Sequence, residues 1–226
     1  MVKKRSRMII FLAIVTAIIV ILAFVIVTNL GSTSDVVAGV KNGDEFTYDL
    51  KGYYSSNDPA ETAPVSLLDI NMTEWYKITV TSVVGPEVTI DTTWRFSNGT
   101  ELTGTGNVNV ETGIHYPTEG FWAIYAANLK ANDFTRPNGP DRSTINETST
   151  RDYASGTRET NRISLVLQYY DANDPSYTTT WTEYMNTHFD RQVGILVELR
   201  DISVYTNPDV TITLVWTLTN TNRWKV

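Results

Sequence analysis

The N-terminal part of the chain contains 23 consecutive residues, Met8–Leu30, without a charged side chain. As a helix rising about 1.5 Å per residue, this run would reach roughly 34 Å, enough to cross a hydrocarbon layer of about 30 Å. Four basic residues precede it: Lys3, Lys4, Arg5 and Arg7. Because basic flanks stay on the cytoplasmic side, we predict a single-pass protein of the cell membrane. Its parts are a cytoplasmic flank at 1–7, a transmembrane helix at 8–30, a linker at 31–38 and an extracellular domain at 39–226.

Two other interpretations of this run stay open. A cleaved signal peptide has a shorter apolar stretch, of about 7–15 residues, but the small side chains at Val36-Val37-Ala38 would suit cleavage before Gly39. A pilin-type signal would place the apolar helix in the core of a filament. That signal requires processing just before the helix, where Ser6-Arg7-Met8 lacks the small residue expected. The length of the run favours a retained anchor.

The charge of the exported part excludes one class of partner. No acidic residue occurs before Asp35, so residues 31–226 hold all 25 acidic side chains against 14 basic ones, a net charge of −11. A nucleic-acid binder needs a basic surface, so we expect no nucleic-acid partner. The chain has no cysteine, which excludes disulfides, thiol catalysis and cysteine-ligated metal sites. We expect no cofactor and no metal centre.

Beyond residue 38, apolar side chains alternate with polar ones, as in Phe46, Tyr48 and Leu50. A period of two is typical of strands with one buried face, and Asn98-Gly99 is a strong hairpin turn. Strands joined by short turns must pair antiparallel, because a parallel crossover needs a dozen or more residues. We therefore predict a mainly β fold: a single antiparallel domain, either a half-barrel or a sandwich, with about eight to ten strands.

One segment departs from this alternation. Its apolar side chains recur three or four residues apart, with alanines between them: Phe121, Ile124, Tyr125 and Leu129. This spacing predicts a short amphipathic helix over Glu119–Lys130. A loop rich in proline, glycine and aspartate follows, from Asn132 to Arg142. We expect the helix to cover one face of the sheet.

The run Gly39–Tyr48 resembles the opening of a group of archaeal, membrane-anchored, exported β-rich proteins whose function is uncharacterised. Further segments carry the same resemblance: Asn98–Thr100, Ala126–Lys130, Ile145–Thr148 and Phe189–Glu198. The last of these, two strands around an Asp-x-x-x-Gly turn, is also similar to the hairpins of lipoprotein-carrier-like half-barrels. The resemblance implies an exported β-rich domain and supplies no catalytic residue.

The sequence contains no motif of a known catalytic or phosphate-binding site, whether Gly-x-Ser-x-Gly, a glycine-rich loop or His-Glu-x-x-His. Its two histidines, His115 and His188, have no spacing that selects a serine and a carboxylate for them. Carboxylates alone could still hydrolyse glycosides, and the candidates within predicted strands are Glu45, Glu183 and Glu198. If the hairpin turn centres between residues 191 and 192, Glu198 lies opposite Met185, one diagonal step from Glu183 on the same face.

Two other polar features could be functional but have an ordinary explanation as well. Asp171, Asn173 and Asp174 form an oxygen-rich loop that could bind calcium, but Pro175 stands where an EF-hand has a ligand, and a turn explains the loop equally well. Three Asn-x-Thr sequons occur, about as many as chance predicts. These candidate glycosylation acceptors are Asn71, Asn98 and Asn146.

All six tryptophans lie in the exported part, and four of them are candidates for the core or for an apolar ligand site: Trp94, Trp122, Trp181 and Trp216. Large aromatic side chains most often fill the space between a sheet and its cover. An apolar cavity and an exposed carbohydrate platform are the two alternatives. Alternation cannot separate them, because it shows which residues share a face and not what covers that face.

These observations favour a non-catalytic, membrane-anchored binding or structural domain of the cell envelope. Its expected partners are the membrane, through residues 8–30, and envelope proteins, glycans or a lipid-like ligand. The alternative is a carrier for an apolar or lipid-like ligand, held in a half-barrel whose concave face is covered by the helix at Glu119–Lys130. An envelope hydrolase that uses carboxylates is the third hypothesis.

We predict that Met8–Leu30 is retained in the mature protein, because the run is long enough to span a bilayer and follows a basic flank. The measurement is the intact mass of the protein extracted from membranes. A mature form that begins at Gly39 would identify the run as a signal peptide instead.

Overall fold

The computed structural model describes residues 36–117, 122–170, 179–206 and 208–226. The predicted transmembrane helix at 8–30, its basic flank and most of the linker lie outside these residues. Val36–Val226 form one compact unit. Within the described ranges, no helix combines the length and the apolar character that a membrane span requires.

This unit consists of antiparallel strands and one short helix. The strands are β1 (Glu45–Ser56), β2 (Thr73–Val84), β3 (Glu87–Phe96), β4 (Glu101–Asn109), β5 (His115–Tyr116), β6 (Glu147–Tyr153), β7 (Gly156–Tyr170), β8 (Thr179–Asp190), β9 (Leu196–Thr206) and β10 (Asp209–Thr221). The helix α1 spans Val65–Asn71. The mainly β, antiparallel fold, the number of strands and the presence of a short helix are confirmed.

All ten strands belong to one sheet, in the order β5-β4-β3-β2-β1-β10-β9-β8-β7-β6. Consecutive strands within β1–β5 and within β6–β10 pair antiparallel, most of them across short turns, whereas residues 57–72 with α1 connect β1 to β2. The two runs meet where β1 pairs with β10, from Phe46 opposite Thr221 to Ser56 opposite Val210. The first and last strands therefore lie at the centre of the sheet, and β5 and β6 lie at its edges.

The apolar core lies at one end of the sheet. Alternate residues at the start of β1, Phe46, Tyr48 and Leu50, are buried, whereas Tyr54, farther along the same face, is half-buried. Neighbouring strands bury side chains at the same end: Ile78, Val80, Val88, Ile90, Phe189 and Leu196. The period of two predicted this pattern, because successive side chains of a strand point to opposite faces. The other end of the same face is less covered.

The connection from β5 to β6, residues 117–146, joins the two edges of the sheet and is called the crossover below. The helix predicted at Glu119–Lys130 is wrong over its described part, which forms isolated β-bridges up to Ala126 and then a turn at Ala127 and Asn128. Ile124 forms a β-bridge with Ile195, and Ala126 forms one with Ala38. Four consecutive side chains here are buried: Ala123, Ile124, Tyr125 and Ala126. An extended segment buried on both sides can mimic the apolar spacing of a helix, because all its side chains are apolar.

The helix that does form, α1, fills a gap in the sheet. β1 pairs with β2 only as far as Tyr48 opposite Tyr76. Farther along β1, the side-chain amide of Asn71 accepts a hydrogen bond from the Gly52 amide at 2.8 Å and donates one to the Gly52 carbonyl at 2.9 Å. A Cβ atom on Gly52 would lie 2.2 Å from Leu67, so glycine lets α1 pack here. Seven residues are too few for a helical period to show in the sequence.

We predict that Ile124→Ala lowers the free energy of unfolding by about 3 kcal/mol, because this side chain is fully buried between crossover and sheet. Ile114→Ala is the matched control: Ile114 is 70% exposed, and its truncation is expected to change stability by less than about 0.5 kcal/mol. Urea unfolding of the full chain, followed by tryptophan fluorescence, measures both. An equal loss of stability in the two variants would contradict the packing of the crossover on the sheet.

Candidate functional site

The four tryptophans singled out in the sequence have three different environments. Trp94 and Trp216 pack at the margin of the core against Tyr76, with ring centroids 6.1 and 5.2 Å from its ring. Trp181 stacks on the tyrosine opposite it in β7, with centroids 3.7 Å apart. Trp122 lines a cavity under the crossover. Trp94 and Trp216 therefore belong to the margin of the core, and Trp122 belongs to an apolar cavity.

This cavity, with a volume of about 460 Å³, lies between the crossover and strands β7 and β8. Its volume falls in the usual range for small-molecule sites, about 300–1,000 Å³. The walls are largely apolar and include Trp122, Tyr125, Ile163, Leu165 and Met185. The turn before β5, from the opposite edge of the sheet, lines it as well. The crossover thus brings the two edges of the sheet to one open pocket.

Arg136 is a charged residue in the wall of this cavity, and only 6% of its surface is exposed. Its guanidinium donates hydrogen bonds of 2.6 Å to the carbonyl oxygens of Ile124 and Trp122. It also lies over the ring of Tyr125, 4.3 Å from the centroid. Burial lowers the pKa of Arg136, because removal from water disfavours the charged form. The guanidinium therefore fixes the crossover backbone and carries a buried positive charge.

Thr187 in β8 supplies a second polar group to the cavity. It lies opposite Ile163 of β7, and its surface is 1% exposed. Its hydroxyl oxygen has no hydrogen-bond partner among the residues that the structure describes. An unpaired buried hydroxyl costs free energy, so a ligand that offered it a partner would gain from the contact.

A carboxyl pair lies on the same face of β8, farther along the strand. Glu183 alternates with Met185 and Thr187, and its carboxylate accepts a hydrogen bond of 2.8 Å from the Tyr169 hydroxyl. Asp201 of β9 forms a hydrogen bond with Glu183. Burial, and then the negative charge of Glu183, raise the pKa of Asp201 to about 6. Asp201 therefore keeps its proton up to about that pH, and its protonated carboxyl group can donate to Glu183.

The predicted partner of Glu183 is wrong, since Asp201 and not Glu198 lies opposite Met185. Glu198 lies opposite His188, on the other face, where its carboxylate pairs with Arg151. The sequence prediction placed the turn centre too early and missed a β-bulge at His188. Together these displace the register by three residues, and an odd displacement exchanges the two faces.

The remaining candidate residues do not come together. His115 lines the cavity, with its Nδ1 3.1 Å from the Gly113 carbonyl oxygen. His188 lies on the opposite face of β8, and burial lowers its pKa. Glu45, at the start of β1, is exposed and forms an ion pair with Lys77. The cavity wall thus holds His115 together with Ser143 and Asp141, and the Ser143 hydroxyl donates a hydrogen bond of 2.7 Å to the Asp141 carboxylate.

The predicted hairpin at Asn98-Gly99 is confirmed between β3 and β4. All three sequon asparagines, at 71, 98 and 146, are exposed. Asn98 and Asn146 accept hydrogen bonds through their side-chain oxygens from the Thr100 and Ser164 amides, which leaves their amide nitrogens for modification. The oxygen-rich loop at 171–174 lies outside the described residues. In the part described, no three histidine, aspartate or glutamate side chains group as metal ligands.

Comparison with known proteins identifies no relative: no protein-family model matches this chain, and no curated protein is significantly similar to it. The residues of the cavity therefore have to be interpreted from their own chemistry.

Three residues that the sequence reasoning did not select prove central to the geometry: Arg136, Thr187 and Asp201. Asp201 had a signal, because alternation along β9 places it on one face with Leu199 and Tyr205. Arg136 had none. It lies in a loop rich in proline, glycine and aspartate, and only the folded crossover brings the loop under the sheet.

We predict that Asp201→Asn stabilises the protein by about 1 kcal/mol at neutral pH, after allowance for partial solvent screening. The pKa of Asp201 is higher in the folded chain than in the unfolded chain, where about 3.9 is usual. The folded state therefore binds the proton more tightly, and wild-type stability falls as the pH rises from about 4 to about 6.

Urea unfolding at pH values of about 4 and about 7 measures this effect, since the gain from the asparagine should appear only at the higher pH. Asp91→Asn, an exposed aspartate of β3, is the matched control and should show no such difference. A gain that is equal at both pH values would argue against proton sharing between Asp201 and Glu183.

Proposed function

We propose that this chain is a non-catalytic binding domain that takes a small apolar or lipid-like ligand into the cavity under the crossover. The cavity itself carries the proposal: about 460 Å³ in an open pocket whose surface is largely apolar, with polar side chains such as Arg136 and Thr187 in its wall. Sites for small molecules usually have this composition, because apolar walls supply affinity and a few polar groups fix orientation.

We propose that the single ten-stranded sheet is a half-barrel. All ten strands belong to one sheet, so the cover of the core face is not a second sheet. The cover is the crossover, which main-chain hydrogen bonds connect to the β8–β9 turn. In one of them the Tyr125 amide donates to the Gly194 carbonyl oxygen at 2.7 Å. A single curved sheet with a separate cover leaves space between the two layers, which a closely packed sandwich would fill.

We further propose that the domain acts outside the cell membrane, attached to it through residues 8–30. The support is the length of the apolar run and its basic flank. A ligand site next to a membrane would meet acyl chains and other apolar molecules of the envelope. The proposed function thus combines the two expectations of a membrane anchor and an apolar ligand.

Hydrolysis by a carboxylate pair is the weaker proposal for this fold. Glycoside hydrolysis places its two carboxyl groups about 5–10 Å apart, so that a sugar or a water fits between them. Glu183 and Asp201 are in direct hydrogen-bond contact. Their geometry is suited to sharing a proton and not to enclosing a glycosidic bond.

The experiment is binding of phenylnaphthylamine, a neutral probe whose fluorescence rises in apolar surroundings, to the full chain. We predict saturable binding that Met185→Trp weakens about tenfold or more, because the larger side chain occupies the cavity. Met72→Trp, at an exposed position away from the cavity, is the matched control and should bind like the wild type. Urea unfolding of both variants shows whether they remain folded. Absence of saturable binding to the wild type would overturn the proposed function.

A further inference from the structure

We infer that the ligand of this cavity is an amphipathic monoanion, a carboxylate with an aliphatic chain, whose headgroup is bound by Arg136 and Thr187. The inference rests on the proposed function and specifies its ligand. Its starting point is the contrast between a largely apolar cavity surface and two of the polar side chains in its wall, Arg136 and Thr187.

Arg136 lacks the carboxylate partner that most other described arginines have, and the two others without one, Arg142 and Arg200, are exposed. Six arginines have a carboxylate within 4 Å: Arg95, Arg151, Arg158, Arg162, Arg191 and Arg223. Among the described residues, Arg136 has no such partner, although it is buried. A buried charge without an opposite charge is unfavourable, and an anion in the cavity would relieve it.

The nearest acidic side chain does not take this role. Asp141 also lines the cavity and is close enough for its charge to act on Arg136. Its two carboxylate oxygens, however, accept hydrogen bonds from Ser143, at 2.8 Å from the amide and 2.7 Å from the hydroxyl. Asp141 thus holds the loop around Ser143, and its oxygens remain more than 4 Å from the guanidinium nitrogens.

Unused hydrogen-bond donors accompany this charge. A guanidinium has five N–H groups, and the carbonyl oxygens of Trp122, Ile124 and Val110 accept at most three from Arg136. The Thr187 hydroxyl, also in the cavity wall, has no partner in the described structure. A carboxylate oxygen can accept from both kinds of donor, and hydrogen bonds to ionised groups are stronger than neutral ones.

The number of charges selects a monoanion. One guanidinium can neutralise one negative charge, whereas a dianionic phosphate monoester would leave a negative charge buried near Asp141. The apolar walls, formed in part by Ile163, Leu165 and Met185, then suit a hydrocarbon chain. Head and tail together describe a fatty-acid-like molecule of medium length.

The test compares three ligands of equal chain length on the wild-type full chain: decanoate, decanol and methyl decanoate. Each displaces phenylnaphthylamine at neutral pH, and the concentration for half displacement is measured. We expect decanoate to act at a concentration about tenfold lower than either neutral ligand, although decanol and methyl decanoate leave water more readily. Equal or weaker displacement by decanoate, with the probe still bound saturably, would overturn this inference and leave the proposed function standing. Failure of the probe itself to bind would overturn both.

Two variants locate the headgroup. Arg136→Gln should abolish the preference for decanoate, whereas Arg142→Gln, an exposed arginine of the same crossover, should keep it. Thr187→Val removes the hydroxyl and keeps the shape of the side chain. It should weaken the binding of decanoate about fivefold and change the binding of methyl decanoate by no more than about twofold. If Arg136→Gln does not fold, the Thr187→Val variant alone decides where the headgroup binds. A Thr187→Val protein with wild-type affinity for decanoate would overturn the placement of the headgroup.

Discussion

The contact between the crossover and the β8–β9 turn is the constraint on which the rest of the domain depends. Gly194 in that turn has a φ of +75°, and a Cβ atom there would lie 2.1 Å from the Tyr125 carbonyl oxygen. Only glycine permits this approach. Asp190 shapes the turn by accepting the Val193 amide, and Arg158 holds the same carboxylate at 2.6 and 3.0 Å. The cavity wall is thus built on the turn.

The arrangement explains why stability and binding are expected to share residues. The Arg136 guanidinium stabilises the crossover by donating hydrogen bonds to the carbonyl oxygens of Trp122 and Ile124, and the same side chain lines the cavity. A buried group with both tasks can be kept charged only if its surroundings supply dipoles, here carbonyls and the Tyr125 ring. The carboxyl pair of Glu183 and Asp201 lies farther along the same face and adds a response to pH.

Much of this fold could be predicted from local patterns, and the site could not. The alternation of Phe46, Tyr48 and Leu50 and the Asn98-Gly99 turn are set by neighbours within a few residues, so they were recognisable. The segment Trp122–Ala126 was mistaken for part of a helix, because burial of consecutive side chains removes the polar positions that mark a strand. The register of Asp201 depended on a bulge at His188, and the position of Arg136 depended on contacts across the sheet. Neither leaves a local trace.

The pairing of the first strand with the last has a consequence for how the domain is made. Phe46 pairs with Thr221, so the centre of the sheet cannot close until β10 has been synthesised. Native contacts of such long sequence separation slow folding, because the entropy of loop closure is lost before the contacts form. The β1–β5 and β6–β10 halves can form earlier, and each then has a second unpaired edge, at β1 or at β10. Until these two strands pair, their open edges can pair with another chain and lead to aggregation.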